Sequence, residues 1–319
     1  MIQRIEQIMK YDVAGDPMTG LRWTRRTPKK IADELRTLRI KVSRTTVARL
    51  LKRMRFSLRV NHKKISSGSK DNRNEQFEYI ASLREKFGRR GDPVISVDTK
   101  KRELIGDFKN AGATWSREAP AVNDHDFRSQ AKGIAIPYGV YDTGENFGVV
   151  AVGTSHDTSE FAVASIARWW ANRPRRSYPG AKHLLVLADN GGSNAPGTKA
   201  WKYHLQSFCD RFGIAVTVAH YPPGASKWNP IEHRLFSEIS KNWQGRPLDS
   251  YETCLKYIGK TSTSSGLKVV ASLDRKRYRD KVQITREQMG GVQVQSHQTL
   301  PKWNYTLKPH GEHHGAARR

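Results

Sequence analysis

The sequence predicts a mixed α/β protein: a five-stranded mixed sheet flanked by helices, preceded by an all-α N-terminal domain. Apolar residues recur at helical spacing up to about residue 90, after which short apolar runs bounded by turns take over. Those later segments follow the order βββαβαβα, which one layered sheet can accommodate. The length of 319 residues, with 37% hydrophobic and 9% aromatic content, suffices for two domains and a sizeable core. The boundaries read as 1–65 for the N-terminal domain, 66–90 for a linker and helix, 91–265 for the α/β domain, and 266–319 for an extension and tail. No apolar run approaches the ~20 residues of a spanning helix. The opening MIQRIEQIMKYD holds no apolar signal core, and Cys209 and Cys254 lie far apart. A disulfide scaffold and a Cys-rich zinc site are excluded, and a cytoplasmic, non-membrane protein is expected.

The first helix is expected from Thr27-Pro28, a cap followed by proline at the first helical position. Ile31, Leu35 and Leu38 give it an apolar stripe. After a short connection, Ser43 caps a second helix whose inner face is Val47, Leu50, Leu51 and Met54. Its other face carries Arg44, Thr45, Arg49 and Lys52. Two short helices, a tight turn and a basic outer face form a helix-turn-helix pattern, with SLRVNHKKI (57–65) as a strand or wing. A structural helical hairpin has the same periodicity. Charge separates the two readings. The chain holds 56 Lys and Arg against 30 Asp and Glu, and residues 1–70 alone carry 19 against 5, a net of +14. That clustering suits a polyanion, because each cation set beside a phosphate releases condensed counterions.

Ser66 to Asn72 reads as a linker, and Phe77, Ile80, Leu83 and Phe87 as one amphipathic helix. Strands follow at 93–98 (PVISVD), 133–142 (GIAIPYGVYD) and 147–155 (FGVVAVGTS), the last two joined by the turn at Asp142–Glu145. A helix spans 160–172, a fourth strand 183–189 (HLLVLAD), and a helix carries Trp201, Leu205, Phe208 and Phe212. The fifth strand is 214–221 (IAVTVAHY), followed by a helix from Asn229 to Trp243. Three antiparallel strands with two more added in parallel is the connectivity of a ribonuclease H-like fold. Residues 100–132 are long for a hairpin loop, so they form an insertion or hide a strand at RELIGDF.

In that connectivity the first and fourth strands are parallel neighbours, so Asp98 and Asp189 leave the sheet at one edge, where open α/β sheets present ligands. Glu232 begins the helix after the fifth strand and can return to that edge. Three gathered carboxylates repel one another, and a hard divalent cation relieves the repulsion. Two such ions ~3.5–4 Å apart clamp the attacking and leaving oxygens of a phosphoryl transfer. Each residue also fits a structural role: Asp98-Thr99 as a strand-end turn, Asp189-Asn190-Gly191-Gly192 as a loop turn, and Glu232 in a capping arrangement with Asn229 and Pro230.

Several long stretches resemble the transposases of Rhodopirellula-type insertion sequences, which carry an Asp-Asp-Glu (DDE) catalytic domain. They are TPKKIADELR, VSRTTVARLL, PVISVDTKKRELIGDFKNAG, HDTSEFAVASIARWW, LLVLADNGGSN, YPPGASKWNPIEHRLFSEISKNWQGRPL and KWNYTL, running from about Leu21 to Leu307. The resemblance implies Asp98, Asp189 and Glu232 as catalytic carboxylates holding two Mg²⁺ (or Mn²⁺) ions. It implies a transposase that binds terminal inverted repeats in double-stranded DNA, then cleaves and joins strands as a dimer or larger assembly at the nucleoid. Family members look longer at the N-terminus, so a shortened DNA-binding region is expected here. A catalytically inactive, transposase-derived DNA-binding regulator is the alternative, and a structure-selective nuclease on the same fold a further one.

The candidate DNA contacts are Arg25, Arg44, Thr45, Arg49, Lys52, Arg53, Lys227 and Trp228. Trp228 either stacks on an unpaired base or fixes its own loop. Asn123-Asp124-His125-Asp126 reads as a polar turn more than a metal site; His156-Asp157 starts a helix and can approach the same edge as the acids, Asp157 reading more as a helix cap; and His233 reads as a phosphate contact or a cap. His310, His313 and His314 are expected in a frayed tail.

Overall fold

A computed structural model describes residues 1–9, 13–15, 22–24, 27–54, 56, 72–172, 177–225 and 228–311. The chain divides into two compact units, 1–65 and 66–319.

In the first unit, α1 (Ile2–Met9), α2 (Pro28–Thr37) and α3 (Arg44–Arg53) bury Ile5, Ile8, Met9, Ile31, Leu35, Val47 and Leu51 in a common core. The expected caps are present: Thr27 accepts from the backbone N–H of Lys30, and Ser43 from that of Thr46. Two expectations are corrected. The unit is not all-α, because β1 (Val13–Gly15) pairs antiparallel with β2 (Arg22–Thr24). Leu38 sits at the C-terminal cap of α2 and is exposed, so the stripe ends at Leu35. The wing at 57–65 and nearly all of the 66–72 linker lie outside the described residues.

The second unit opens with α4 (Arg73–Arg89) and continues into a nine-stranded sheet. Its centre has the expected connectivity. β3 (Val94–Thr99), β5 (Gly133–Asp142) and β6 (Phe147–Gly153) form the antiparallel meander. β7 (His183–Ala188) lies parallel to β3, and β8 (Ala215–His220) parallel to β7. Alternation in β3 sends Ile95 and Val97 to one face, where α5 (Ser159–Asn172) and α6 (Lys199–Phe212) cover them with Phe161, Trp169, Trp201 and Leu205. The other face packs against α4 through Val94, Leu185 and Leu187, and against α7 (Ser237–Asn242) and α8 (Tyr251–Gly259) through Val150, Val152, Ile239 and Ile258. Burial on both faces explains why these strands read as continuous apolar runs.

The five-stranded expectation is too small by four. β4 (Glu103–Ile105) is the strand hidden at RELIGDF, and it pairs with β5. The other three come from the segment expected to be an extension and tail. β9 (Lys268–Asp274) adds in parallel to β6 at one edge. After α9 (Arg286–Gly290), β10 (Val294–Ser296) and β11 (Asn304–Leu307) extend the opposite edge, β11 pairing antiparallel with β8. His310 is not frayed: its backbone N–H donates to Asp210 at 2.8 Å, and its ring lies 3.0 Å from the same carboxylate. His313 and His314 lie outside the described residues. No helix among the described residues is long and apolar enough to cross a membrane.

Candidate active site

Asp98 is the penultimate residue of β3, and Asp189 directly follows β7, the parallel neighbour of β3. Both therefore leave the sheet at its carboxyl edge. The third carboxylate is brought to them by side-chain hydrogen bonds. Ser96, on the same face of β3 as Asp98, donates to the side chain of fully buried Asn229 and accepts from the backbone N–H of Ile231 at 3.0 Å. The Asn229 amide also donates to the carbonyl of Val97 at 3.4 Å. The chain is thus stitched to β3 just before Glu232. Glu232 then opens a π-helical turn, Glu232–Phe236, that runs into α7 in place of the regular helix expected from 229. Such turns shift the register of a helix and recur at functional sites. The Asn229 side chain serves β3, so the capping arrangement expected for Glu232 is not made.

A glycine permits the approach. Gly139 on β5 is the register partner of Asp98, and a Cβ there would fall 2.7 Å from both Ile231 Cδ1 and Phe236 Cε1. Gly148 on β6 likewise lies under Leu235. The turn carrying Glu232 rests directly on the bare backbone of the sheet.

The electrostatics show that the three acids are close. Asp98 is 9% exposed. Its carboxyl is pushed up to about 8, first by burial and then by the charge of Asp189; Glu232 adds its own charge and accepts a hydrogen bond from the protonated form. The backbone N–H of Thr99, 2.7 Å away, opposes the shift. Asp189 is also raised, by burial and by the charges of Glu232 and Asp157, against a bond from the Gly191 N–H. A cleft of about 290 Å³ opens over this edge, lined by Asp98, Asp157 and Asp189 with Lys101 and Arg102 at its side. Lys100 is engaged elsewhere, paired with Glu103 at 2.9 Å and set over the Trp243 ring.

This donor set fits a divalent cation. A carboxyl that holds its proton because it is buried and faces two other acids is one from which a dication displaces the proton. Among the described residues no three His, Cys, Asp or Glu side chains are spaced to chelate one ion. Mg²⁺ needs no such cage, since it takes one or two carboxylates and fills its octahedron with water and phosphate oxygens.

Asp157 departs from expectation. The cap of α5 is the Thr158 hydroxyl, which accepts from the Phe161 N–H at 3.2 Å. Asp157 instead turns to β3 and accepts from the Thr99 hydroxyl at 3.1 Å, which places a fourth acid in the cleft. Its adjacency to a helix start made capping the simpler reading; the signal for the other is that it follows β6, which runs in the same direction as β3 and ends at the same edge. The 123–126 cluster does not gather: Asp124 and His125 are exposed and 3.9 Å apart. His233 is exposed on the turn. Trp228 is 45% exposed, leans on Phe77 and carries the Arg73 guanidinium 4.9 Å over its ring. Arg44, Thr45, Arg49, Lys52 and Arg53 are all exposed on α3. Arg25 and Lys227 lie outside the described residues.

The family described as Rhodopirellula transposase DDE domain matches residues 4–309. The chain belongs to that family. It is accordingly a DDE-type polynucleotidyl transferase, an enzyme of DNA transposition and recombination. The match begins earlier than the resemblance legible from Leu21 and takes in α1. Among solved structures, the chain is similar to the Mos1 mariner paired-end complex with Mn, at 14% identity and a TM-score of 0.45, over 81% of this chain and 70% of that one. It is similar to a pre-cleavage Mos1 transpososome at 14% identity and 0.44, over 81% and 70%. No curated protein matches the sequence. The family assignment rests on the family match.

Proposed function

We propose that this DDE-family transposase binds the inverted-repeat ends of its element, and that Asp98, Asp189 and Glu232 are the carboxylates that support cleavage and strand transfer. The observation that carries the proposal is the convergence of acids from β3, the end of β7 and the π-helical turn, with Asp189 and Glu232 both acting on the buried carboxyl of Asp98. They would hold Mg²⁺ or Mn²⁺, two ions in all. When bound, such ions activate a water and then a 3′-hydroxyl for in-line attack and neutralise charge on the phosphodiester. The chain's own groups do the rest. Asp98 gives up its proton as ions enter. Lys101 and Arg102, at the side of the cleft, contact phosphates flanking the scissile bond.

The exposed basic face of α3 supports groove recognition, with Arg44 and Arg49 reaching base edges and Lys52 and Arg53 the phosphates. Trp228, close before Glu232 in sequence, would offer its exposed ring to a base near the cut, and Lys227, the preceding residue in sequence, would contact the backbone. Double-stranded DNA is the partner, and two ends held together require a dimer or larger assembly. In a Mg²⁺ reaction on a labelled repeat-end duplex, Asp98→Asn should abolish nicking while leaving gel-shift affinity intact. Nicking that survives the substitution would remove Asp98 from the assignment.

A further inference from the structure

The C-terminal strand β11 reaches the carboxylate edge from behind. The backbone carbonyl of Asp189 lies 2.9 Å from Nδ1 of His220, the last residue of β8. A carbonyl can only accept, so Nδ1 carries the proton of the ring. His220 Nε2 lies 3.1 Å from the hydroxyl of Tyr305 on β11, and that hydroxyl accepts from Trp201 Nε1 at 2.9 Å. The indole can only donate, which leaves the Tyr305 proton for His220 Nε2. Every direction in the chain is thereby fixed: Trp201 donates to Tyr305, Tyr305 to His220, and His220 to Asp189. All three side chains are at most 1% exposed, so water does not compete. A second buried clasp holds the same strands together. Gln76 of α4 donates to the His220 carbonyl at 2.8 Å and exchanges amide hydrogen bonds with Asn304 of β11. The His220 N–H donates to the Trp303 carbonyl.

We propose that Tyr305 and His220 are positioning residues for Asp189, so that the C-terminal segment is a working part of the site. The hydrogen bond grips the backbone of Asp189 at the point where the chain leaves the sheet. There, a rotation about the next bonds would swing the carboxylate away from Asp98. The Gly191 N–H holds the carboxylate from the other side at 3.3 Å, and the Asn190 amide ties the loop to the Tyr221 carbonyl at 3.1 Å. The hydroxyl of Tyr305 supports His220 from a residue 85 positions further along the sequence. This inference rests on the reading of Asp189 as a metal-binding carboxylate.

The test is Mn²⁺ titration of the full-length protein without DNA, read by the paramagnetic signal of free ion, beside thermal unfolding of each metal-free variant. Tyr305→Phe keeps the ring and removes the donor. It should weaken Mn²⁺ binding ~10-fold or more, as loss of an outer-shell partner does. Its cleavage should be restored by excess Mn²⁺. Thr217→Val is the control. It deletes a hydroxyl bond between the same two strands, Thr217 to Thr306 at 2.9 Å, that does not lead to Asp189. This variant should lose stability and keep Mn²⁺ affinity. Trp201→Phe, which leaves the Tyr305–His220 bond in place, should fall between them and serves if Tyr305→Phe does not fold. Unchanged Mn²⁺ affinity in Tyr305→Phe, or equal loss in Thr217→Val, overturns the positioning role. Asp189→Asn separates the two claims. If it binds Mn²⁺ as tightly as the parent, the reading of the site fails; if it alone loses affinity, only the positioning inference fails.

Discussion

Neutralising Asp98 tests the site through folding rather than through chemistry. Its carboxyl is pushed up to about 8 in the folded protein, against ~3.9 in an unfolded chain. Between those values the folded state binds the extra proton, so stability falls as pH rises. His220 works in the opposite sense at lower pH. Burial holds it down at about 4, against ~6.5 when free, so there the unfolded chain binds the extra proton and stability rises with pH. The two slopes oppose each other up to pH ~6.5. Above that only the acids contribute, Asp189 being displaced in the same direction as Asp98. From pH ~6.5 to ~8 the Asp98 contribution amounts to about 2 kcal/mol. Urea unfolding in EDTA, followed by emission from buried Trp169, Trp201 and Trp243, should show that loss. Asp98→Asn should remove about 2 kcal/mol of that slope, leaving the part due to Asp189, and be more stable than the parent at pH 8. Millimolar Mg²⁺ should restore the parent at pH 8 and do little for the variant. A parent whose stability is flat across this window, or an Asn variant whose slope is as steep as the parent's, would refute the clustered-acid reasoning.

Other outcomes follow from the same structure. Lys52→Ala should weaken repeat-end binding uniformly across sequences and reduce the slope of log K against log salt by about 1, whereas Arg49→Ala should cost about 1–3 kcal/mol and relax sequence preference, both measured by anisotropy. Gly139→Ala would drive a methyl into Ile231 and Phe236, costing about 1–3 kcal/mol in denaturation. Because those residues flank Glu232, its cleavage rate should fall even where the protein is fully folded. Gly88→Ala, where nothing lies within 4 Å of the new methyl in α4, should instead stabilise by about 0.5–1 kcal/mol.

What the sequence made legible and what it concealed divide along a physical line. The central strands were readable because burial on both faces forces unbroken apolar runs: LLVLA in β7 and VTVA in β8 leave no other interpretation of comparable length. Asp98 and Asp189 were readable because each terminates such a run. β11 was hidden because it is four residues long and its polar members, Asn304 and Thr306, are satisfied by partners far away in the chain, Gln76 and Thr217. β10 is a three-residue edge strand with two exposed members, so no alternation marks it. Asp157 was legible only as the lesser of two readings for a related reason: a helix start supplies a local explanation for any acid, and the bond from Thr99 that overrides it exists only in three dimensions.

The same line runs through the site itself. Local pattern supplies the acids, whereas long-range polar bonds aim them: Ser96 with Asn229 for Glu232, Thr99 for Asp157, His220 and Tyr305 for Asp189. Mutual repulsion makes such a cluster costly, so the fold must hold each member against the others. Each acid is accordingly tied to the sheet by a neutral group, either on its own side chain or on the backbone beside it. A neutral clamp fixes a carboxylate without cancelling its charge, as an Arg or Lys partner would. Charge left uncancelled would draw a divalent cation to this edge of the sheet, and Lys101 and Arg102, which line the same cleft, would meet the phosphates.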